Sequence, residues 1–450
     1  MKLQFLGAAE TVTGSKYLLE TDDKTILIDC GLFQGLKELR MRNWEPFPLT
    51  KSVDAVILTH AHLDHSGYLP LLVRQGFKGP IYATEATREL CEILLRDAGR
   101  IQEEDASLAN KYGYSKHKPA MPLYTEQDAI NALKYFQTID FDKDYSLGKE
   151  TQFRASRAGH ILGSAIITLR TNTTTLVFSG DLGRPNDLIM QPPLQVTFAD
   201  FLVLESTYGN RLHSQTNPFD QLGNIIRTTV QRGGTVIIPS FAVGRTQTLL
   251  YLLYQLKEAN AIPAVPIYLD SPMAEDATDI FLKHCSEHKI PLEVCKKVCK
   301  IAMYVKTGDD SRKLSSDASP KIIIAGSGMA EGGRVLDHIK NYGPDSKNSI
   351  VFTGFQAPMT RGDRLLRGEK EVKIRGAMVP INAHIEMLDS LSSHADYKET
   401  LEWLKGFKQP PKTVFLTHGE ESASQALKKQ IEDQLHWNVV VPRYMQEVTL

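Results

Sequence analysis

Ten residues, Thr59 to Tyr68, read THAHLDHSGY and constrain this chain more than any other stretch. They set His60, His62, Asp64 and His65 within six positions, directly after the apolar run Ala55-Val56-Ile57-Leu58. A short apolar run bounded by polar turn residues predicts a buried strand, so the four side chains leave the end of a rigid element in fixed geometry. Imidazole and carboxylate donors with no thiolate beside them suit zinc or another borderline divalent ion. An open catalytic zinc takes three protein ligands and keeps its fourth position for water, so four donors in one turn predict a second metal alongside the first. One isolated histidine after a strand would usually be a solvated loop residue; this spacing reverses the weighing.

The same grammar, apolar strand into glycine turn with a donor at the tip, recurs along the chain. Ile26-Leu27-Ile28 runs into Asp29, which by itself reads as a turn former and beside the 59–68 turn as a support for a metal-bound histidine. AGHILGSA carries His160 between Gly159 and Gly163, and Leu176-Val177-Phe178 leads through Ser179-Gly180 to Asp181. Phe201-Leu202-Val203-Leu204 delivers Glu205, and Thr413 to Leu416 delivers Thr417-His418-Gly419. His394 sits in Ser392-Ser393-His394-Ala395-Asp396, just before a predicted helix. From Asn210 the pattern changes to alternating helix and strand, which predicts a parallel α/β domain inserted into the first. Expected boundaries are 1–207 and 383–450 for the two parts of the first domain and 208–382 for the insertion. Within the insertion, the turn Gly326-Ser327-Gly328-Met329 before a helix could expose amides to a phosphate. GFQAPMTRGDRLLRG repeats arginine at 361, 364 and 367, which reads as a phosphate-binding or a solvated basic face.

Composition narrows the class. A chain of 450 residues outgrows a single core, so two domains are the default. Its 52 basic and 53 acidic residues nearly cancel, so any nucleic-acid affinity must come from a local patch. Five scattered cysteines fit a reducing compartment better than a disulfide framework, and Cys285, Cys295 and Cys299 read as buried thiols. MKLQFLGAAETVTGS does not resemble a secretory signal and no apolar run reaches membrane-spanning length, so the expectation is a soluble cytoplasmic protein without a membrane partner.

THAHLDHSGY, GHILGS, FSGDLG and the early Asp29 resemble the successive metal motifs of the metallo-β-lactamase superfamily. LESTYG, SSHAD and LTHGE, with GSGMAEGGR and GFQAPMTRGDRLL, are similar to those of its β-CASP branch, the nucleic-acid-processing nucleases, and above all to its RNA-cleaving members in pre-mRNA 3′-end processing and their compact prokaryotic relatives. The resemblance implies an αββα sandwich with an inserted β-CASP α/β domain. It implies two zinc ions, one held by His60, His62 and His160, the other by Asp64, His65 and His418, with Asp181 bridging and Asp29 behind. Asp64, Glu205 and His394 would be catalytic, with Glu205 and His394 close enough to bond each other, His394 as general acid and a hydroxide shared by the metals as nucleophile. Ser327, Gly328 and Arg361 would meet substrate phosphate. The implied activity is hydrolysis of RNA, single-stranded by expectation, to 5′-phosphate and 3′-hydroxyl ends, endonucleolytic or else 5′-exonucleolytic. The histidine at 418 favours RNA over DNA; a DNA nuclease or a thioester or lactam hydrolase are the alternatives. Protein partners and oligomeric state are not legible.

Overall fold

In the computed structural model, residues 1–45, 53–113, 115–354, 356–357 and 359–450 are described. The chain divides into two compact units: Met1–Leu212 with Ser393–Leu450, and His213–Ser392. Both limits fall later than the sequence pattern placed them. The second shift has a clear cause: His384–Met387 pairs in parallel with Ser349–Phe352, so the chain stays in the second unit's sheet past residue 382.

The first unit is built on two seven-stranded sheets. In one, the antiparallel strands Lys2–Phe5, Tyr17–Glu20 and Thr25–Ile28 pass into the parallel strands Ala55–Ile57, Ile81–Thr84 and Phe136–Ile139. In the other, Gln152–Arg157, Ala165–Arg170 and Thr175–Phe178 are antiparallel, and Phe201–Glu205 and the returning Thr413–Thr417 run parallel to the last of them. Side chains alternate along these strands, as the pleat requires. Leu176, Phe178, Val203 and Phe415 share one core with Leu3, Phe5, Ile26, Ile28 and Ile57 of the facing sheet. Val177, Leu202, Leu204, Val414 and Leu416 instead pack under Leu401 and Leu404 of helix Tyr397–Leu404 and Leu427 and Ile431 of helix Glu421–Leu435. Helix Glu85–Tyr112 packs on Ile81–Thr84 and Phe136–Ile139 of the other sheet, giving the expected αββα order. Sequence reading passed over helix Glu126–Leu133, although Thr125 and Asp128 form its capping box.

The second unit carries a six-stranded parallel sheet in the order Met303–Tyr304, Ile267–Asp270, Ile322–Ala325, Val236–Pro239, Ser349–Phe352, His384–Met387. Its central strands are buried throughout, as sheets covered on both faces must be. Asp270 accepts hydrogen bonds from Arg334 Nη1 (2.7 Å) and Ser311 Oγ (2.5 Å) and pairs with His338 Nε2 (2.7 Å). His338 Nδ1 meets Ser315 Oγ at 3.0 Å. This serine–histidine–aspartate chain is a structural tie, because Asp270 and His338 are fully buried. Cys295 and Cys299 are buried free thiols, as expected, whereas Cys285, expected to be buried with them, is only half-buried.

The arginines at 361, 364 and 367 are tied into the second unit. Phe355 and Pro358 of their motif lie outside the described residues, but the three arginines are each engaged. Arg364 pairs with Glu369 (2.6 Å) and Arg367 with Asp363 (2.9 Å). Arg361 donates from Nε to the Lys373 carbonyl (2.8 Å) and from Nη1 to the carbonyls of Ala330 (3.3 Å) and Glu331 (3.2 Å), and it pairs with the Glu331 carboxylate. Through Nε and Nη1 its guanidinium is a strut for the 330–331 turn. Arg361→Ala is therefore expected to lower stability by about 1–2 kcal/mol through lost hydrogen bonds, read as a lower denaturation midpoint. The salt dependence of RNA binding should stay as in the parent; a shallower salt slope would return Arg361 to a phosphate contact.

Candidate metal centre and its flanking dyad

The donors converge because the two sheets of the first unit present strand ends on the same side. Ile28 pairs with Ile57 in parallel, so Asp29 and the 59–65 turn leave side by side. Phe178 pairs with Val203 and Glu205 with Thr417, so Asp181, Glu205 and His418 emerge together from the other sheet. The Ala165 amide donates to the Thr59 carbonyl (2.8 Å), stitching the two sheets at this edge. Gly183 lets two loops touch: a Cβ there would lie 2.1 Å from the Gly159 carbonyl, directly before His160. Asp29 and His418 themselves take positive φ, +57° and +50°. Non-glycine residues in the left-handed region cost energy and persist where the surroundings impose them, commonly at functional sites.

Two sets of side chains result. In the first, His60 Nε2 and His160 Nε2 lie 3.1 and 3.2 Å from His62 Nδ1, and each is 3.4 Å from Asp181 Oδ2. In the second, His418 Nε2 is 3.3 Å from Asp64 Oδ2, and His65 Nε2 is 3.2 Å from Asp181 Oδ1. Asp181 thus turns one oxygen to each set.

Ring tautomers follow from the hydroxyls behind. Thr59 has one hydroxyl proton and gives it to Asp29 Oδ2 (2.8 Å), so toward His60 Nδ1 (3.1 Å) it can only accept. Thr207 likewise donates to the His418 carbonyl and accepts from His418 Nδ1, both at 2.9 Å. His65 Nδ1 faces Asp29 Oδ2 (2.7 Å), and His160 Nδ1 faces the Ser393 carbonyl (3.4 Å). Each of these four rings therefore carries a proton on Nδ1 and turns Nε2 inward. Asp29 also accepts the Thr59 amide (2.7 Å), which locks the carboxylate in place.

A cage of inward lone pairs repels itself unless a cation fills it. The four edges measured in the first set, 3.1 to 3.4 Å, match the edge of about 3.3 Å of a tetrahedron with zinc–donor bonds of about 2.0–2.1 Å. Asp181 Oδ1 is buried and accepts no hydrogen bond among the described residues, a cost that a cation would relieve. Burial, reinforced by neighbouring imidazoles, drives the pKa of His60 and His160 well below the ordinary histidine value and lowers that of His62, which keeps them neutral as ligands must be. Burial works against charge on Asp64, yet the His418 and His65 rings hold its carboxyl down to about 2. Burial opposes charge on His65 as well, but Asp181 and Asp29 raise its pKa well above the ordinary value. A proton on His65 and a metal ion are thus two answers to the same negative field, and only the metal satisfies both sets.

Beside the cage lies a dyad. His394 Nδ1 is 3.0 and 3.2 Å from the two oxygens of Glu205 and 4.0 Å from Asp181 Oδ2. Burial opposes its charge, but Glu205 foremost, then Asp181 and Asp64, raise its pKa to about 9. The Leu182 peptide unit holds the parts together: its amide donates to Glu205 Oε1 (2.6 Å), and its carbonyl accepts from the Ala395 amide (2.8 Å). Sequence reasoning missed Thr59, Thr207 and Leu182. The two threonines stood inside quoted motifs, next to His60 and two residues after Glu205, so adjacency was their only signal; Leu182 acts through its backbone and had none.

The predicted substrate residues lie in the second unit. Ser327 Oγ accepts from the amides of Glu331 (3.1 Å) and Gly332 (3.2 Å), which leaves its own proton to donate. Gly328 is buried, with the Phe241 ring against it.

Residues 18–193 match the model of a metallo-beta-lactamase superfamily domain, residues 246–365 that of a Beta-Casp domain, and residues 378–442 that of a Zn-dependent metallo-hydrolase RNA specificity domain. The chain is 36% identical over 447 residues to Ribonuclease TTHA0252 of Thermus thermophilus, covering 95% of each. It is 32% identical to the transcription termination factor FttA of Methanosarcina mazei, over 97% of this chain and 69% of that protein. A crystal structure of a protein of unknown function from Enterococcus faecalis V583 shares the fold with a TM-score of 0.56 at 13% identity, covering 100% of this chain and 99% of that one.

Proposed function

This chain belongs to the β-CASP ribonucleases of the metallo-β-lactamase superfamily, and from that premise we propose a binuclear zinc enzyme that cuts single-stranded RNA internally, leaving 5′-phosphate and 3′-hydroxyl ends. The observation that carries this reading is Asp181, one carboxylate facing two separate sets of donors. His60, His62 and His160 would hold one ion and Asp64, His65 and His418 the other. Held by these residues, a metal pair would supply a water of near-neutral pKa and an offset for negative charge on phosphoryl oxygens.

The chain's own groups do the rest. Thr59, Thr207 and Asp29 fix the imidazoles so that each presents its inward nitrogen without reorganising. His394 holds a proton on the ring nitrogen that Glu205 does not engage, and gives it to the departing ribose oxygen. Ser327 keeps a hydroxyl proton for a substrate phosphate oxygen, a contact that positions RNA without reading bases. Attack by water rather than by the ribose 2′-hydroxyl accounts for the proposed ends.

Incubating zinc-loaded protein with end-labelled single-stranded RNA, matched DNA and a lactam reporter tests this. Internal RNA cuts with 5′-phosphates are expected. Stepwise release of nucleotides from the 5′ end would make it an exonuclease, and turnover of the lactam or DNA alone would overturn the substrate class.

The dyad predicts a pH effect. His394 must be protonated to act, and Glu205 keeps it so to higher pH. Glu205→Gln retains an acceptor for the Leu182 amide but removes the charge, so the pKa of His394 falls and the alkaline limb of kcat should move down by about one unit or more. An unmoved limb in a pH–rate profile would separate Glu205 from the proton transfer.

A further inference from the structure

At the carboxyl edge of the six-stranded sheet stands an exposed aromatic that the sequence motifs did not mark. Val236–Pro239 and Ile322–Ala325 are adjacent and parallel. The first leaves through helix Arg245–Glu258 toward Ile267–Asp270, the second through helix Val335–Tyr342 toward Ser349–Phe352, in opposite directions along the sheet. Ligands of open α/β sheets bind outside the carboxyl ends of strands at such a reversal. The turns there are Ser240 to Gly244 and Gly326 to Met329.

Phe241 lies in the first of these turns with 44% of its surface exposed. Its backbone is tightly held: the carbonyl accepts from Thr246 Oγ1 (2.7 Å), from the Thr246 amide (3.3 Å) and from Ser240 Oγ (3.2 Å). Its ring rests on Gly328, where a Cβ would come within 2.7 and 2.8 Å of two ring carbons and 3.0 Å of the Phe241 amide nitrogen. Gly328 thus leaves room for an aromatic ring, and Ser327 next to it keeps a hydroxyl proton.

An exposed aromatic on a rigid backbone, resting on the turn that carries a hydroxyl donor, has the composition of a nucleotide subsite rather than of a protein-docking face. Aromatic rings stack unpaired bases irrespective of sequence, while a polar neighbour takes the phosphate. We propose that Phe241 is a stacking platform for one unpaired base of the RNA, with the adjoining phosphate at Ser327. The inference rests on the ribonuclease reading and adds why the substrate is single-stranded: a base in a duplex has no free face to offer.

Binding is measured on the full chain in a His394→Ala background, which slows cleavage. The probes are a fluorescent single-stranded RNA dodecamer, the same length of abasic ribose-phosphate chain, and a blunt RNA duplex. Phe241→Ala is expected to weaken the dodecamer by about tenfold with an unchanged salt slope and unfolding midpoint, and to leave abasic and duplex affinity alone. Phe241→Tyr should restore binding, and Phe241→Trp should show indole quenching on adding the dodecamer but not the abasic chain. Equal binding by the alanine variant overturns the platform while leaving the ribonuclease reading intact. An equal loss on the abasic chain assigns the ring to supporting the turn and also overturns it. A shift in sedimentation state without a change in RNA affinity assigns it to a protein contact. Failure of the parent to bind or cut any RNA removes the ribonuclease reading itself, and the platform with it.

Discussion

Asp181→Ala is expected to abolish RNA cleavage, by more than about 10³-fold, beyond the 10–100-fold that loss of a supporting partner typically costs a metal site. The reason is geometric. One oxygen of Asp181 faces His60 and His160 at 3.4 Å, and the other faces His65 at 3.2 Å, so one truncation strips a donor from both sets. It also removes the charge that most favours a proton on His65. Metal content by elemental analysis should fall together with turnover, and the variant should gain less thermal stability from added zinc than the parent does, since a ligand stabilises only the state that binds it. Normal turnover in the variant would dismantle the shared-carboxylate scheme.

His394→Ala should lower kcat by about 10²–10⁴-fold, the span general acid catalysis usually supplies, and leave metal content at the parent's level. The competing role is specific: Asp181, Glu205 and His394 lie close enough to form a third set of donors. Geometry favours the acid, since Nδ1 is 3.0 Å from Glu205 but 4.0 Å from Asp181, and the imidazole is paired with a carboxylate that raises its pKa to about 9. Substantial metal loss in the variant would make His394 a ligand instead. Full activity with full metal would remove it from the chemistry.

These two residues also show how unevenly the site was legible in the chain. The four donors of the 59–68 turn could be read directly, because ligands on one turn are close in space whatever the rest of the fold does. Asp29, His160, Asp181 and His418 could be read as strand-end donors, since a carboxylate or imidazole after an apolar run leaves the sheet at its edge. Their assignment to one metal or the other came only through resemblance. The tautomers could not be read at all, for they depend on where the Thr59 and Thr207 hydroxyls give their single proton. The partners of Arg361 could not be read for a related reason: a periodic row of arginines looks free in a sequence, and only three-dimensional contacts reveal the carbonyls and carboxylates around them. Phe241 stood in no motif, and its exposed ring on Gly328 is visible only in the fold.

By itself the sequence determined which elements form and which chemical groups stand at their tips, because alternation of apolar side chains and the glycine turns that end them are local properties. Only the tertiary structure decided that Asp181 would face two sets of donors, that Glu205 would hold His394, and that Phe241 would stay uncovered. Each of these depends on strands far apart in the chain lying side by side in register, and no local pattern encodes that register.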